Sequence, residues 1–169
     1  MPVNLPAFKK RVKQKKRKLI FFLKKFDRLT IPNLPKLVTQ AEKEVWEKIN
    51  CMECANCCKT MTPTYKKADI SRISAHLGMK PKEFKEKWLY KEKKTGDWMN
   101  TSQPCQFLVK NMCSIYDVRP SDCAGFPHHH QKEFDRYTDT YKLNLHSCPA
   151  TFMLVERLQE KIEADYEWK

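Results

Sequence analysis

The octapeptide Cys51-Met52-Glu53-Cys54-Ala55-Asn56-Cys57-Cys58 holds four of the chain's eight cysteines. The other four, Cys105, Cys113, Cys123 and Cys148, are spread over the later part of the chain. C-x2-C steps let two thiolates grip one ion. Cys51, Cys54 and Cys57 step by three, so a turn or one winding of helix would bring them to the same side. Cys57 and Cys58 are neighbours, and neighbouring side chains diverge by about 100° on a helix and about 180° on a strand. These two are therefore expected to serve two metals, or to bracket one larger polynuclear centre, rather than to share one small tetrahedron. The expected fold returns the later four cysteines to the first four around metal.

Composition narrows the class. The chain has 169 residues, of which 41% are hydrophobic and 31% charged, which fits one soluble globular domain with a modest core. Only three glycines are present, and there is no GxGxxG, P-loop or GxSxG pattern. The longest apolar run near the N-terminus, Leu19–Leu23, is too short for a membrane span or a signal-peptide core. A cytoplasmic location is therefore expected, where thiols stay reduced. Clustered cysteines then point to metal or redox chemistry rather than to four disulfides.

Residues 1–30 read as a basic amphipathic arm, and 31–169 as the cysteine-cluster domain. Between residues 9 and 28 stand Lys9, Lys10, Arg11, Lys13, Lys15, Lys16, Arg17, Lys18, Lys24, Lys25 and Arg28, against the single acid Asp27. That stretch carries most of the net charge of +13. Phe8, Val12, Leu19, Phe22 and Phe26 recur at helical spacing. The arm suits a polyanion, either nucleic acid or an anionic membrane face, or else docks its apolar stripe on the core. No base-reading motif accompanies it.

Ile31–Pro35 reads as a linker, because two prolines break the helix. Helices are expected over 36–49, over 67–77 with Gly78 just past its end, and from Pro81 onward with Phe84, Trp88 and Leu89 as its apolar residues. Thr60–Tyr65 reads as loop and Asp97–Ser102 as loop or short strand. Gln106–Val109 and Cys113–Tyr116 read as a β-hairpin turning at Lys110-Asn111-Met112. Asp117 would cap a short helix containing Arg119, Pro120 and Cys123, ended by Phe126-Pro127. Residues 137–145 alternate loosely and are expected to form a strand. Pro149 opens the last helix, with Phe152, Val155, Leu158, Ile162 and Tyr166 on its buried face. The fold class is mostly α with a small β-hairpin, a single metal-organised domain with long loops.

Eight thiolates could make two Cys₄ zinc sites. Alternatively, Cys51, Cys54, Cys57 and a distant fourth could hold an iron–sulfur cluster, and Cys148-Pro149 has the Cys-Pro step seen in ferredoxins. Spacing leaves both open. Thiolate sites want cations and N–H donors around them, and Lys59 and Arg119 are candidates. Of His128, His129 and His130, at most one would ligate a given ion. His76 and His146 read as core or surface residues, and Asp122 as a helix-turn residue. Loss of metal is expected to cost the chain much of its fold.

The ordered blocks resemble a known family. Cys51-x2-Cys54-x2-Cys57-Cys58, Pro104-Cys105-x-Phe107-Leu108, Cys113-Ser114-Ile115-Tyr116-x2-Arg119-Pro120-x2-Cys123, Phe126-Pro127 and Cys148-Pro149 look like the CxxCxxCC (YkgJ-type) cysteine-cluster family. The likeness covers about residues 48–150. It implies a zinc- or iron-chelating domain with all eight cysteines as ligands and Arg119, Pro120, Phe126 and Pro127 as signature positions. It also implies kinship with flagellin lysine N-methylases, which use S-adenosylmethionine. Ala124, where many relatives have Arg, and Asn56, where Gly is common, depart from the pattern. Three functions follow: a chelating metal-binding protein, which needs only the cysteines; an iron–sulfur-dependent enzyme like the methylases; or a metal-stabilised adaptor for nucleic acid or membrane surface that uses the arm.

Overall fold

A computed structural model describes residues 3–129 and 133–165. In chain order its elements are α1 (Leu5–Lys25), α2 (Leu34–Lys48), α3 (Cys51–Cys54), α4 (Asn56–Thr60), β1 (Thr64–Tyr65), α5 (Lys67–His76), α6 (Pro81–Trp88), β2 (Leu89–Lys91), β3 (Trp98–Asn100), β4 (Leu108–Val109), β5 (Met112–Cys113), α7 (Ser121–Gly125), α8 (Thr138–Asn144) and α9 (Pro149–Asp165). Single 3-10 turns lie at Tyr116–Val118 and Phe134–Tyr137. The fold is mostly α with small antiparallel sheets. None of the described helices is long and apolar enough to cross a membrane. The chain forms two compact units, one running to Cys54 and resuming at Pro127, the other spanning Ala55–Phe126.

In the first unit, Asn4 starts α1 by accepting the Ala7 N–H on its side chain at 2.9 Å. The apolar stripe expected there is buried: Phe8, Val12, Leu19, Phe22, Leu23 and Phe26. It packs on α8 and α9, with Phe8 edge-on to Phe152 at 5.7 Å. Helix α2 covers α9 as well. Because two helices cover it, α9 buries far more than one stripe: Thr151, Phe152, Leu154, Val155, Glu156, Leu158, Gln159 and Ile162. Tyr166 lies outside the described residues. Pro35 does not break α2; it occupies its first turn, where the missing N–H has no partner to lose.

The strand expected over 137–145 is a helix instead. Tyr141 and Leu145 are fully buried while Leu143, between them, is 69% exposed. Only a spacing of four, not of two, satisfies that pattern.

In the second unit, a three-stranded antiparallel sheet runs β1-β3-β2, with Tyr65 opposite Trp98 and Leu89 opposite Asn100. Its strand β3 falls within Asp97–Ser102, expected as loop or short strand, whereas β1 falls in the expected loop Thr60–Tyr65. Tyr65, Ile70, Ile73, Phe84, Leu89, Phe107 and Ile115 form the core beneath it. Phe84 is its centre, stacked on Phe107 at 6.2 Å and edge-on to Trp88 at 5.5 Å. The expected hairpin is present but short, β4 on β5. Lys110 and Asn111 make its two-residue turn with φ of 48° and 68°, the conformation of a type I′ turn.

The short helix expected to include Arg119 and Pro120 is split in two. A 3-10 turn ends at Val118, Arg119 and Pro120 are extended, and α7 starts at Ser121. Proline pushes its preceding residue out of the helical region. Buried Asp69 on α5 then anchors α7. It accepts from Ser121 N and Ser121 Oγ, both at 3.0 Å, from Lys66 N at 3.0 Å and from Arg72 Nη2 at 2.7 Å. These donors outweigh burial and hold the Asp69 carboxyl below its ordinary range.

Candidate metal centre

The octapeptide that opened the sequence reading is not one winding of helix. Ala55 takes a left-handed φ of 45° between α3 and α4. Cys51 and Cys54 share the turn before it, and Cys57 and Cys58 the turn after. The expectation that three cysteines line one helical side therefore fails at Ala55.

Cys57 and Cys58 nonetheless bring their Sγ atoms to 4.0 Å. Two sulfurs on one tetrahedral ion at about 2.3 Å lie about 3.8 Å apart. Divergence of neighbouring Cβ directions does not separate these sulfurs, because each thiol has its own χ1.

Three more thiols of the second unit lie within electrostatic reach of Cys58. Cys105 donates its backbone N–H to the Cys58 carbonyl at 2.8 Å. Cys113 sits on β5 opposite Leu108, beyond the turn. Cys123 rides on α7, held by Asp69 through Ser121 and by Asp122, whose Oδ2 accepts the Thr64 N–H at 3.0 Å. Burial raises the thiols of Cys105, Cys113 and Cys123, and the charge of Cys58 raises each further. The hydrogen bond with Cys57, then burial, drives Cys58 far above its ordinary value. Proton and metal thus compete for these sulfurs, and a cation that binds releases protons.

Backbone donors are aimed at the sulfurs. Cys105 accepts a hydrogen bond from the N–H of Phe107, and Cys113 from that of Ile115. In each case the donor lies two residues downstream. Such N–H groups lower the energy of a thiolate and fix its direction, as partners around a metal ligand do.

A buried polar group completes this side. Asn100 Oδ1 accepts from Tyr65 OH at 2.6 Å and from Gln106 Nε2 at 3.0 Å. Those two bonds fix the amide, which leaves Nδ2 buried with no closed hydrogen bond. It lies near enough to Cys105 to favour the thiolate form. Burial, with the charges of Cys105, Cys123 and Cys113, pushes Tyr65 well above the usual phenol range. No sequence pattern marks Tyr65, Asn100 or Gln106; they are ordinary residues until the sheet sets them beside sulfur.

The first unit holds the remaining thiols. Cys54 is buried and Cys51 exposed. Cys148 precedes α9 and receives the Thr151 N–H at 3.4 Å. Burial pushes Cys148 up to about 11, and the charge of Cys51 adds to this. Thr151 Oγ1 also lies 3.0 Å from His129 Nε2. No sequence pattern marks Thr151.

Other candidates have plainer places. His129 is buried between Trp46, at 5.6 Å, and Tyr141, at 6.2 Å. The carbonyl of His128 accepts the Tyr141 hydroxyl at 3.3 Å. His130 lies outside the described residues. The positive charge of Arg119 favours the Cys113 thiolate, but its guanidinium lies over the Tyr116 ring at 3.9 Å and bonds the Tyr116 carbonyl at 2.7 Å. Lys59 favours the Cys58 thiolate by its charge. Pro120 is buried ahead of α7, and Phe126 ends α7. Pro127 is buried where the first unit resumes. Of the basic arm, Arg11 and Lys15 pair with Glu156 and Lys18 with Glu163.

The donor set is thus thiol-only and furnished with N–H donors, which suits zinc or iron. Among the described residues, no three His, Cys, Asp or Glu side chains stand as a ready ligand group. A family model described as "CxxCxxCC: putative zinc- or iron-chelating domain" matches residues 50–148. No curated protein and no solved structure matches the chain. The match spans more than half of the sequence, and the chain belongs to this metal-chelating family.

Proposed function

We propose that this CxxCxxCC protein is a thiolate metal chelator whose second unit holds one mononuclear tetrahedral ion, with zinc as the first choice. Its four sulfurs are drawn from the five thiols Cys57, Cys58, Cys105, Cys113 and Cys123, with Cys58 and Cys123 among the four. The observation that carries this reading is the 4.0 Å Cys57–Cys58 sulfur pair, with three further thiols in electrostatic reach of Cys58. In a [4Fe–4S] cluster each cysteine binds its own iron, and the cysteine sulfurs stand further apart than this pair. The thiols reach ligand distance by turning among staggered χ1 rotamers. A bound tetrathiolate zinc carries a formal charge of −2, which the Phe107 and Ile115 amides, Lys59 and Arg119 offset. Cys51, Cys54 and Cys148 form the first unit's ligand set.

The test is metal loading of the chelator-stripped full chain, with bound metal counted per chain. Cys58→Ser and Cys123→Ser should each abolish one tight equivalent. Cys148→Ser should leave that equivalent in place. Full retention of metal by both Cys58→Ser and Cys123→Ser would remove the proposal.

A further inference from the structure

Helix α1 carries more positive charge than its docking uses. Its buried stripe faces α8 and α9, and three cations on the flanks of that stripe reach α9. Arg11 pairs with Glu156 and lies over Phe152 at 5.3 Å, Lys15 bonds Glu156 at 2.6 Å, and Lys18 lies 3.9 Å from Glu163. Lys9, Lys10, Lys13, Lys16, Arg17 and Lys24 have no ion-pair partner among the described residues. At 3.6 residues per turn these six fall within an arc of about 120°. That arc runs from the edge of the buried stripe round to the face opposite it, and from Lys9 to Lys24 it extends about 22 Å along the helix at 1.5 Å per residue. Cations that serve only solubility would be scattered with acids among them. Here no acid interrupts the row from Leu5 to Lys25.

One large apolar side chain stands in this charged surface. Phe21 is 66% exposed, although the helix has a buried stripe that could have taken it. Arg17 and Lys18 lie one turn before Phe21 and Lys24 and Lys25 one turn after it, and the Lys25 ammonium lies 5.9 Å from its ring centre. A row of cations that tracks a phosphate backbone, with an exposed ring on which a base stacks, is how unspecific single-strand binders are built. A membrane helix of the interfacial kind instead buries its apolar face in lipid. The apolar face of α1 is already spent on the protein core.

We propose that the outer face of α1 is a binding surface for single-stranded nucleic acid, with Lys9, Lys10, Lys13, Lys16, Arg17 and Lys24 on phosphates and Phe21 under a base. This surface goes beyond the metal chelation and does not rest on it.

The test uses the metal-loaded full chain, an oligothymidylate single strand, a duplex of equal length, and phosphatidylserine–phosphatidylcholine vesicles. Binding is titrated against salt. Six phosphate contacts give a slope of log affinity on log salt of about −4 for a single strand. The triple variant Lys13→Gln/Arg17→Gln/Lys24→Gln should bring it to about −2. A control triple on α2, Lys36→Gln/Lys43→Gln/Lys48→Gln, removes the same net charge and should leave the slope unchanged. Phe21→Ala should weaken single-strand binding about tenfold and leave duplex binding unchanged. Metal content should be equal in all variants. Equal losses in the two triples would reduce the effect to net charge and overturn the proposal. Preference for vesicles, absence of salt-dependent binding, or a Phe21→Ala effect shared by single strand and duplex would overturn it equally.

Discussion

Replacing Asp69 by Asn removes one charge and turns one acceptor into a donor at a buried junction. Asp69 is 1% exposed. Its Oδ1 takes Arg72 and the Ser121 N–H, and its Oδ2 takes the Lys66 N–H and the Ser121 hydroxyl. An amide in the same place must point its NH₂ at one of those pairs, and each pair contains a main-chain N–H. One backbone donor is then orphaned, at about 1–3 kcal/mol, and Arg72 loses its charged partner. Arg72 is partly exposed and can be rehydrated, so that second loss is smaller. The sum expected is about 3 kcal/mol, or about 6 to 12 °C in thermal midpoint for a chain of this size. The sign with pH is fixed by the depressed carboxyl. The stabilisation is fully present above the carboxyl's unfolded value and is lost as pH falls through its folded value. Wild type and Asp69→Asn should therefore differ most at neutral pH and converge in acid. Calorimetric scans at several pH values check this, and metal titration of the variant should show weaker binding, because α7 carries Cys123. A midpoint shift under about 2 °C, or a difference that does not shrink in acid, would refute the assignment of Asp69 as the anchor of α7.

Three more outcomes are expected. Glu156→Gln should destabilise the chain by about 1–2 kcal/mol, less than a fully buried pair because Arg11 and Lys15 are each nearly half exposed; a double-mutant cycle with Lys15→Gln in denaturant measures the coupling. Burial raises the Glu156 carboxyl, but hydrogen bonds from Lys15 and Arg11 outweigh it and leave it lowered, so this contribution too is lost on acidification, not on raising the pH. Asn100→Leu should weaken metal affinity about ten- to a hundredfold and shift the thiolate charge-transfer band of the cobalt-substituted chain, whereas Tyr65→Phe, which keeps the amide, should do less. Chelation should speed amide exchange mainly between β4 and α7, because those segments are short and loop-connected, while α9, with its covered faces, stays protected.

Much of this was legible because helices announce themselves by spacing. The stripe Phe8, Val12, Leu19, Phe22, Phe26 is buried as its period requires, and Pro149 opens α9 as a first-turn proline does. The hairpin turn at Lys110-Asn111 was legible in place, though not in strand length. What failed did so for local physical reasons. Tyr137, Tyr141 and Leu145 fit a helix, but Leu143 between them mimics alternation. Ala55 gives no sign that it breaks the cysteine run, since the left-handed region favours glycine or asparagine. The two-residue β1 and three-residue β2 and β3 are too short to carry a period. At the candidate centre the sulfurs were legible and their surroundings were not. Asp69 reaches Ser121 across 52 residues and Tyr65 reaches Asn100 across 35, and no spacing rule links residues so far apart.

The chelation reading is tested most directly by X-ray absorption at the metal edge. The chain for it is Cys51→Ser/Cys148→Ser, purified without oxygen, so that the second unit's sulfurs dominate the signal. The account predicts one equivalent of metal with four sulfur neighbours at about 2.3 Å and no second metal nearby. A nitrogen- or oxygen-rich shell, or a neighbouring iron, would contradict it.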